Sequence, residues 1–405
     1  MAIAGKWEFE DLIPGLSDFD ARLIMQDGMT PEDWARTSIQ VGEVHTRLAW
    51  SQPEWARILE HPPGINLTSA ELRDPDLYIP EIPLWTFYNG RSEVEDDVPR
   101  RPWGLADEQF HLTKFSHYYG PYIRGIDPPI NLGRFETKYG LHSRYMHYFT
   151  PAVQAGVSLA LRTPVRGKLE ALRKARQIFP RPDVIDRVLE AVQRHYETPG
   201  ESAEPALSRL EDQLHLYLRG MMPELANSVQ SLRLDCEDSP ANLRRKVASL
   251  SVTRLGRFLN TIRFSRLLKG RLLFYSQQIP WFDSEWLIDN ELRRVHDAVC
   301  LQAIPLYASF CLGHEIPATQ APETLFSEGL LSKAELDCFL QLHRLTGRTR
   351  VGCRRDQARA VAEIYEPVQI TLERWKDHLR KGSAEPGEPC RLDSVSLSQS
   401  GLGTR

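Results

Sequence analysis

Cysteine is scarce and badly placed for a scaffold. The chain has six, Cys236, Cys300, Cys311, Cys338, Cys353 and Cys390, none in a CxxC pair and none in the first 235 residues. That pattern argues against a zinc ribbon or a disulfide framework and for reduced thiols in a cytosol. An excess of one charge is also missing. Fifty Lys and Arg stand against 54 Asp and Glu, for a net charge of -4, which excludes a globally basic nucleic-acid coat. Long apolar runs are absent. The most apolar stretch, 298–313, contains Gln302 and Pro305 and is shorter than the ~20 residues of a membrane helix. The opening MAIAGKWEFE has neither the apolar core nor the cleavage pattern of a secretory signal. No internal repeat recurs at solenoid spacing. A cytoplasmic protein with no membrane partner is expected.

The composition is that of an ordinary globular chain. Of 405 residues 41% are hydrophobic and 26% charged, enough for a sizeable core and two or three domains. The fold class read from the pattern is α+β: a small mixed sheet first, then a large α-helical region. Leu16 to Met25 alternates, with Phe19, Ala21 and Leu23 on one face and Asp18, Asp20 and Arg22 on the other, which predicts a strand with one buried face. Thr30, Pro31 and Asp33 form a helix start ahead of Trp34, Val41, Val44 and Leu48 at helical spacing. Trp55 to Glu60 and Leu84 to Tyr88 read as further strands, stopped by Pro62-Pro63-Gly64 and Asn89-Gly90. Helices are predicted from Pro151 to Leu161, Gly167 to Ile178, Pro182 to Tyr196, Leu207 to Arg219, Ala241 to Leu268, Ser284 to Cys311, Ser332 to Leu345 and Asp356 to Leu379. The boundaries that follow are 1–110, 111–200 as a connector and helical flanking domain, 201–381 as a helical C-terminal domain, and a Ser-, Gly- and Pro-rich tail, 382–405, expected to be disordered.

The chemistry concentrates in Ala2 to Met25. An apolar run, Ala2-Ile3-Ala4, leads to Gly5-Lys6; after eleven intervening residues comes Asp18, within Ser17-Asp18-Phe19-Asp20. Asp18 and Asp20 lie two apart on a predicted strand, so both carboxylates project from one face. Such a pair repels unless a cation sits between. Mg²⁺ suits it, being hard, oxygen-seeking and ready to share its shell with phosphates. A glycine turn nearby can offer backbone N–H groups to phosphate oxygens.

These residues resemble the nucleotidyltransferase superfamily with the DNA-polymerase-β-type catalytic fold, and most of all its small-molecule branch, the aminoglycoside-type adenylyltransferases. The family pattern is an apolar strand, a Gly-Ser or Gly-Gly turn, a spacer of about ten residues and Asp-x-Asp on the next strand. Gly5, the spacer containing Asp11 to Gly15, and Ser17-Asp18-Phe19-Asp20 match it. The match is close over 2–25 and looser to about 180, where Trp85 to Arg91 and the helix with Arg166, Gly167, Lys168 and Glu170 are similar to parts of that branch; 200–380 resembles nothing nameable. The resemblance implies an Mg²⁺-dependent enzyme that moves a nucleoside monophosphate from an NTP, ATP above all, to a hydroxyl or amine of a small acceptor. Asp18 and Asp20 would hold the metal. Gly5, Lys6, Ser17 and Lys168 would contact the nucleotide. A third carboxylate, assigned to Glu60 with His61, Glu43 and Glu81 as rivals, would assist the acceptor. The chain departs from the family where its serine is Lys6, which keeps the backbone N–H and adds charge but loses the hydroxyl. It also begins four residues before Gly5, where the family has a helix and a fuller first strand. An alternative follows: a degenerate member of the fold that binds without turnover.

Each feature also has a plainer reading. Asp-x-Asp can be a solvated hairpin face, and Lys168 an exposed helix lysine. His117, His142 and His147, interleaved with Tyr118, Tyr119, Tyr122, Tyr145 and Tyr148, can line an acceptor pocket or fill a domain seam. The basic stretch from Arg244 through Arg245, Lys246, Arg254, Arg257, Arg263, Arg266, Lys269 and Arg271 is either a solvated face or a surface for a phosphate-rich partner, nucleic acid being the less favoured one. Cys300 and Cys311 read as plain core.

Overall fold

A computed structural model of the protein describes residues 2–5, 21–52, 62–64, 66–74, 80–89, 102–119, 144–197, 206, 209–248, 254–277, 284–347 and 353–383. It is mostly helical, with a small four-stranded mixed sheet near the N-terminus, so the α+β expectation holds at that level. The strands are β1 (Ala2–Gly5), β2 (Ala21–Met25), β3 (Asn66–Thr68) and β4 (Thr86–Asn89), in the order β3-β2-β1-β4. β1 runs antiparallel to both β2 and β4, with Gly5 paired to Ala21 and to Thr86. β2 and β3 are parallel, a pairing that requires a crossover. Helix α1 (Pro31–Ser51) supplies it.

Local chemistry explains the start of α1. The Thr30 hydroxyl accepts from the Asp33 N–H, the Asp33 carboxylate accepts from the Thr30 N–H, and Pro31 fills the first turn. Thr68 and Glu71 repeat the device at α2 (Ser69–Arg73), directly after β3.

The sheet is buried on both faces, which corrects the one-sided strand predicted for β2. Ala2, Ala4 and Ile24 pack with Leu67, Leu72, Ile82, Trp85 and Phe87. Leu23 packs on the other side with Trp34 of α1 and Leu267. Arg22, expected on the solvent face, is buried too. The reason is tertiary: helices cover the face that alternation had marked as wet, and carboxylates come with them. Other boundaries also move. The strand predicted at Leu84 to Tyr88 is a 3₁₀ turn, Ile82–Leu84, followed by β4. Trp55 to Glu60 lies outside the described residues.

Two helical units flank the sheet. The first holds α3 (Leu105–Tyr119), α4 (Arg144–Leu161), α5 (Lys168–Ile178), α6 (Pro182–Glu197), α7 (Glu211–Gly220), α8 (Met222–Ser228) and α9 (Pro240–Ala248). Its core joins Phe115, Phe149, Leu172, Tyr217 and Met221. Pro151, expected to open a helix, lies inside α4; it forfeits one backbone hydrogen bond on a segment whose Ala152, Val153 and Val157 are fully buried. The second unit holds α10 (Arg254–Ser265), α11 (Leu268–Ser276), α12 (Ser284–Val295), a π-helical segment (His296–Ala303), α13 (Ile304–Leu312), α14 (Ala321–Ser327), α15 (Lys333–Thr346) and α16 (Arg354–Ser383). Of the continuous helix predicted from Ala241 to Leu268, α9 and α10 are described on either side of 249–253, which lie outside the described residues, and α10 ends at Ser265. Leu287–Leu312 is long and apolar enough to cross a membrane, but here its Ile288, Leu292, Val299, Ile304 and Ala308 are buried in the second core.

Helix α1 locks the sheet to the second unit. Gly270 donates its N–H to Ser38 Oγ at 3.0 Å. A Cβ at Gly270 would lie 1.9 Å from the Ser38 carbonyl oxygen, and one at Gly42 would lie 2.5 Å from the Gly270 carbonyl oxygen. Only glycine lets these two helix backbones approach so closely.

Candidate functional site

The Gly5–Ala21 pair marks one end of the sheet. In the sequence, Lys6, Ser17, Asp18 and Asp20 fall between these two paired residues. Those four residues, with Glu60 and its rival His61, lie outside the described residues. Two further segments reach the same end. Thr86 pairs with Gly5, and Gly64 donates its N–H to the Ala21 carbonyl at 3.2 Å.

Guanidinium groups collect beside this end. Arg22 donates to the Ala21 carbonyl at 3.1 Å and lies 3.7 Å from Glu81. Arg271 pairs with Glu291 at 2.5 Å. Both reach Gly64, where a Cβ would stand 3.2 Å from Arg271 Nη1 and 3.7 Å from Arg22 Nη1. Arg263 is buried as well; burial, and then the charges of Arg22 and Arg266, push its pKa down. Of the rivals for the third carboxylate, Glu43 is exposed on α1, whereas Glu81 is buried beside β2.

Arg266 belongs to a closed knot. Its Nε and Nη2 donate to Glu373 at 2.6 and 3.0 Å, its Nη1 and Nη2 to Glu71 at 2.7 and 2.8 Å, and Nη1 also to the Asn66 carbonyl at 2.9 Å. Five N–H groups meet five acceptors, the full inventory of the side chain. The guanidinium also lies 4.4 Å over the Trp34 ring, and Lys376 adds a second cation to Glu71 and Glu373 at 3.1 and 2.9 Å. Burial opposes ionisation of Glu71, but Arg266 outweighs it and holds the carboxyl well below the usual range. The same balance lowers Glu373. Burial likewise opposes the charge on Arg266, and Glu373 and Glu71 overcome it. A side chain so saturated holds structure and leaves no donor for a phosphate.

The basic stretch is therefore split. Arg263, Arg266 and Arg271 turn inward, while Arg244 and Arg245 are exposed. Reading the whole stretch as one solvated face fails for those three, which are buried; Arg266 and Arg271 meet carboxylates inside.

Lys168 opens α5 on the first unit. Its neighbour is Lys114 of α3, which donates to Gln154 Oε1 at 3.0 Å; burial, and then the charge of Lys168, push Lys114 down to about 8. Arg166, two residues before Lys168, donates Nε to the Pro83 carbonyl at 3.0 Å, three residues ahead of Thr86. Lys168 thus stands beside a second lysine, and Arg166 ties its segment to the turn ahead of β4. Of the His and Tyr group, Tyr119 is core, stacked on Phe115 at 5.3 Å, and His117 packs edge-on against Tyr118 at 4.9 Å. No local signal marks Lys114, and the sequence marks Gly64 only as a turn residue and Arg271 only as one of a basic stretch; what each of them meets depends on partners in other segments. Among the described residues, the group whose donor atoms converge as metal ligands is His296, Cys300 and His343. Those are nitrogen and sulfur donors, unlike the oxygens Mg²⁺ takes.

Comparison with family models, curated proteins and solved structures finds no match to this chain.

Proposed function

We propose that the protein is an Mg²⁺-dependent nucleotidyltransferase, transferring a nucleoside monophosphate from an NTP, ATP above all, to a hydroxyl or amine of a small acceptor. The observation that carries the reading is the β1–β2 register. It sets Gly5 opposite Ala21, and in the sequence the motif runs between those two residues. Arg22 and Arg271 lie at that end, paired with Glu81 and Glu291. In this reading the backbone at Gly5 and Lys6 holds the β- and γ-phosphates, and Lys168 with Lys114 lies toward the nucleotide. The acceptor oxygen or nitrogen attacks the α-phosphorus and pyrophosphate leaves. The proton goes to a carboxylate, Glu60 or, beside β2, Glu81. Carboxylates at Asp18 and Asp20 are the donor type Mg²⁺ accepts, and the ion would neutralise charge on the phosphates. Most of the rate would come from positioning and electrostatics.

The test is Mg²⁺-dependent pyrophosphate release with Asp18→Asn and Asp20→Asn. Each should lower it by at least about 10²-fold with an unchanged circular dichroism spectrum. Equal release from both variants and wild type would end the proposal. ATP binding by calorimetry without any release would favour the alternative, a binding module in which Lys6 stands in place of the family's serine.

A further inference from the structure

We infer that His296, Cys300 and His343 form a binding site for a zinc ion, on the second helical unit and independent of any site at the Gly5 hairpin. Their ligand atoms all lie within 4.8 Å of one another. His296 opens the π-helical segment, Cys300 follows one turn later, and His343 faces them from α15, its ring centroid 4.9 Å from that of His296 at an interplanar angle of 40°. π-Helical turns are rare and are frequent at functional sites.

The hydrogen bonding around His296 prepares it as a ligand. Thr346 Oγ1 lies 2.7 Å from the Leu342 carbonyl and 3.1 Å from His296 Nδ1. With the hydroxyl's one proton assigned to the Leu342 carbonyl, which can only accept, the Thr346 oxygen accepts from Nδ1–H. In the neutral imidazole this leaves the lone pair on Nε2. A ring nitrogen held by a second hydrogen bond in this way is the arrangement by which proteins orient metal-bound histidines.

The donor set selects the ion. Two imidazoles and a thiol suit a borderline-soft divalent ion with tetrahedral preference, which is zinc, and suit Mg²⁺ badly. Three protein ligands leave the fourth position to water, on the side of the exposed His343. Tetrahedral ligand atoms at zinc–nitrogen and zinc–sulfur bond lengths stand about 3.3–3.8 Å apart, so the trio must close somewhat. The surface side chain, His343, is the one able to swing. Cys300 is buried among apolar residues, and only the thiolate is a metal ligand. Zinc must therefore displace the thiol proton: the S–H bond breaks, a zinc–thiolate bond forms and the proton goes to solvent. The bound ion would clamp the π-helical segment to α15.

The experiment uses the full chain, stripped with chelator and titrated with Co²⁺ as a spectroscopic stand-in. Wild type should take up one ion per chain, with intense tetrahedral d–d absorption and a thiolate-to-cobalt charge-transfer band, both removed when one equivalent of Zn²⁺ displaces the cobalt. Cys300→Ala should abolish the charge-transfer band. His343→Ala, at an exposed position, should keep the fold and weaken zinc binding at least tenfold; it decides the matter if Cys300→Ala proves unstable. Cys236→Ser and Cys353→Ser, at exposed positions, should leave both bands unchanged. The inference is overturned if wild type shows no charge-transfer band, or if His343→Ala binds zinc as wild type does. It is overturned too if Cu²⁺ binds at the trio and Zn²⁺ does not.

Discussion

The two helical units bury ionisable groups in opposite ways. In the first, around α3 and α4, the buried imidazole of His111 stacks on Trp103 at 5.3 Å and is driven to the neutral form, its pKa pushed by burial, and then by Lys114, down to about 3. Glu108 there accepts the Gln230 and Ser231 N–H groups. In the second unit the buried groups keep their charges and pair them: Arg266 with Glu71 and Glu373, and Arg271 with Glu291. Glu71 belongs to the segment after β3, so the second kind of burial coincides with the seam where the sheet docks. An apolar seam tolerates sliding. A guanidinium held by two carboxylates and a carbonyl has one satisfied geometry, and so fixes how sheet and helices meet. Such networks contribute little net stability, yet breaking one is costly.

The comparison is broken most severely by removing one carboxylate. Glu373→Gln should destabilise the protein by about 3–5 kcal/mol, because Arg266 stays buried and under-compensated. Denaturant unfolding gives the magnitude, and hydrogen exchange should show β3 and α10 losing protection before α4. Loss confined to the first unit would contradict the seam assignment.

A smaller effect is expected from Gly270→Ala. The new Cβ must push α11 away from the Ser38 carbonyl, at about 1–3 kcal/mol for overpacking. The same substitution at Gly313, whose Cβ would meet nothing within 4 Å, tests positive-φ strain without a clash and should cost about 1 kcal/mol. Equal losses would show that the close approach of α1 and α11 is not what matters at Gly270.

The mildest test is pH. His111, His117 and His215, all in the first unit, have pKa values lowered chiefly by burial. The unfolded chain then binds protons that the folded chain refuses, so stability falls as pH drops below the unfolded value near 6.5, by up to roughly 1.4 kcal/mol per pH unit per group. Glu71 and Glu373 are lowered instead by paired charge, and their contribution is complete above the unfolded carboxylate value and lost as pH falls below about 4.3. Between pH 6.5 and 5, peptides from α3 should therefore lose exchange protection while those from α10 and α11 keep it. Simultaneous loss would mean that the two units do not differ in this way.

Much of the helical layout is legible in local sequence. Thr30-Pro31 with Asp33 and Ser332 with Glu335 announce helix starts, and both are found as capping boxes. Pro182 likewise opens α6. The alternation at Ala21 to Met25 identifies a strand, but it is silent on whether the second face is covered. The mixed sheet adds a parallel neighbour from beyond α1, which no dipeptide signals. Of the candidate site, Gly5 and Lys168 can be placed, and Lys168 acquires a partner in Lys114 that no spacing suggests. Cys300, read as plain core, is buried as expected but stands beside two histidines, one of them forty-three positions further along the chain.

The sequence by itself determined the helix starts, the strand-forming runs and the glycine–acid motif near the amino end. Those depend on side chains interacting with their own backbone within a few residues. Only the tertiary structure decided which arginines go inside, what answers their charge, and which donors meet around Cys300. The partners of Arg266 lie 195 and 107 positions away, and a charge cannot be buried until the fold brings its counter-charge to it.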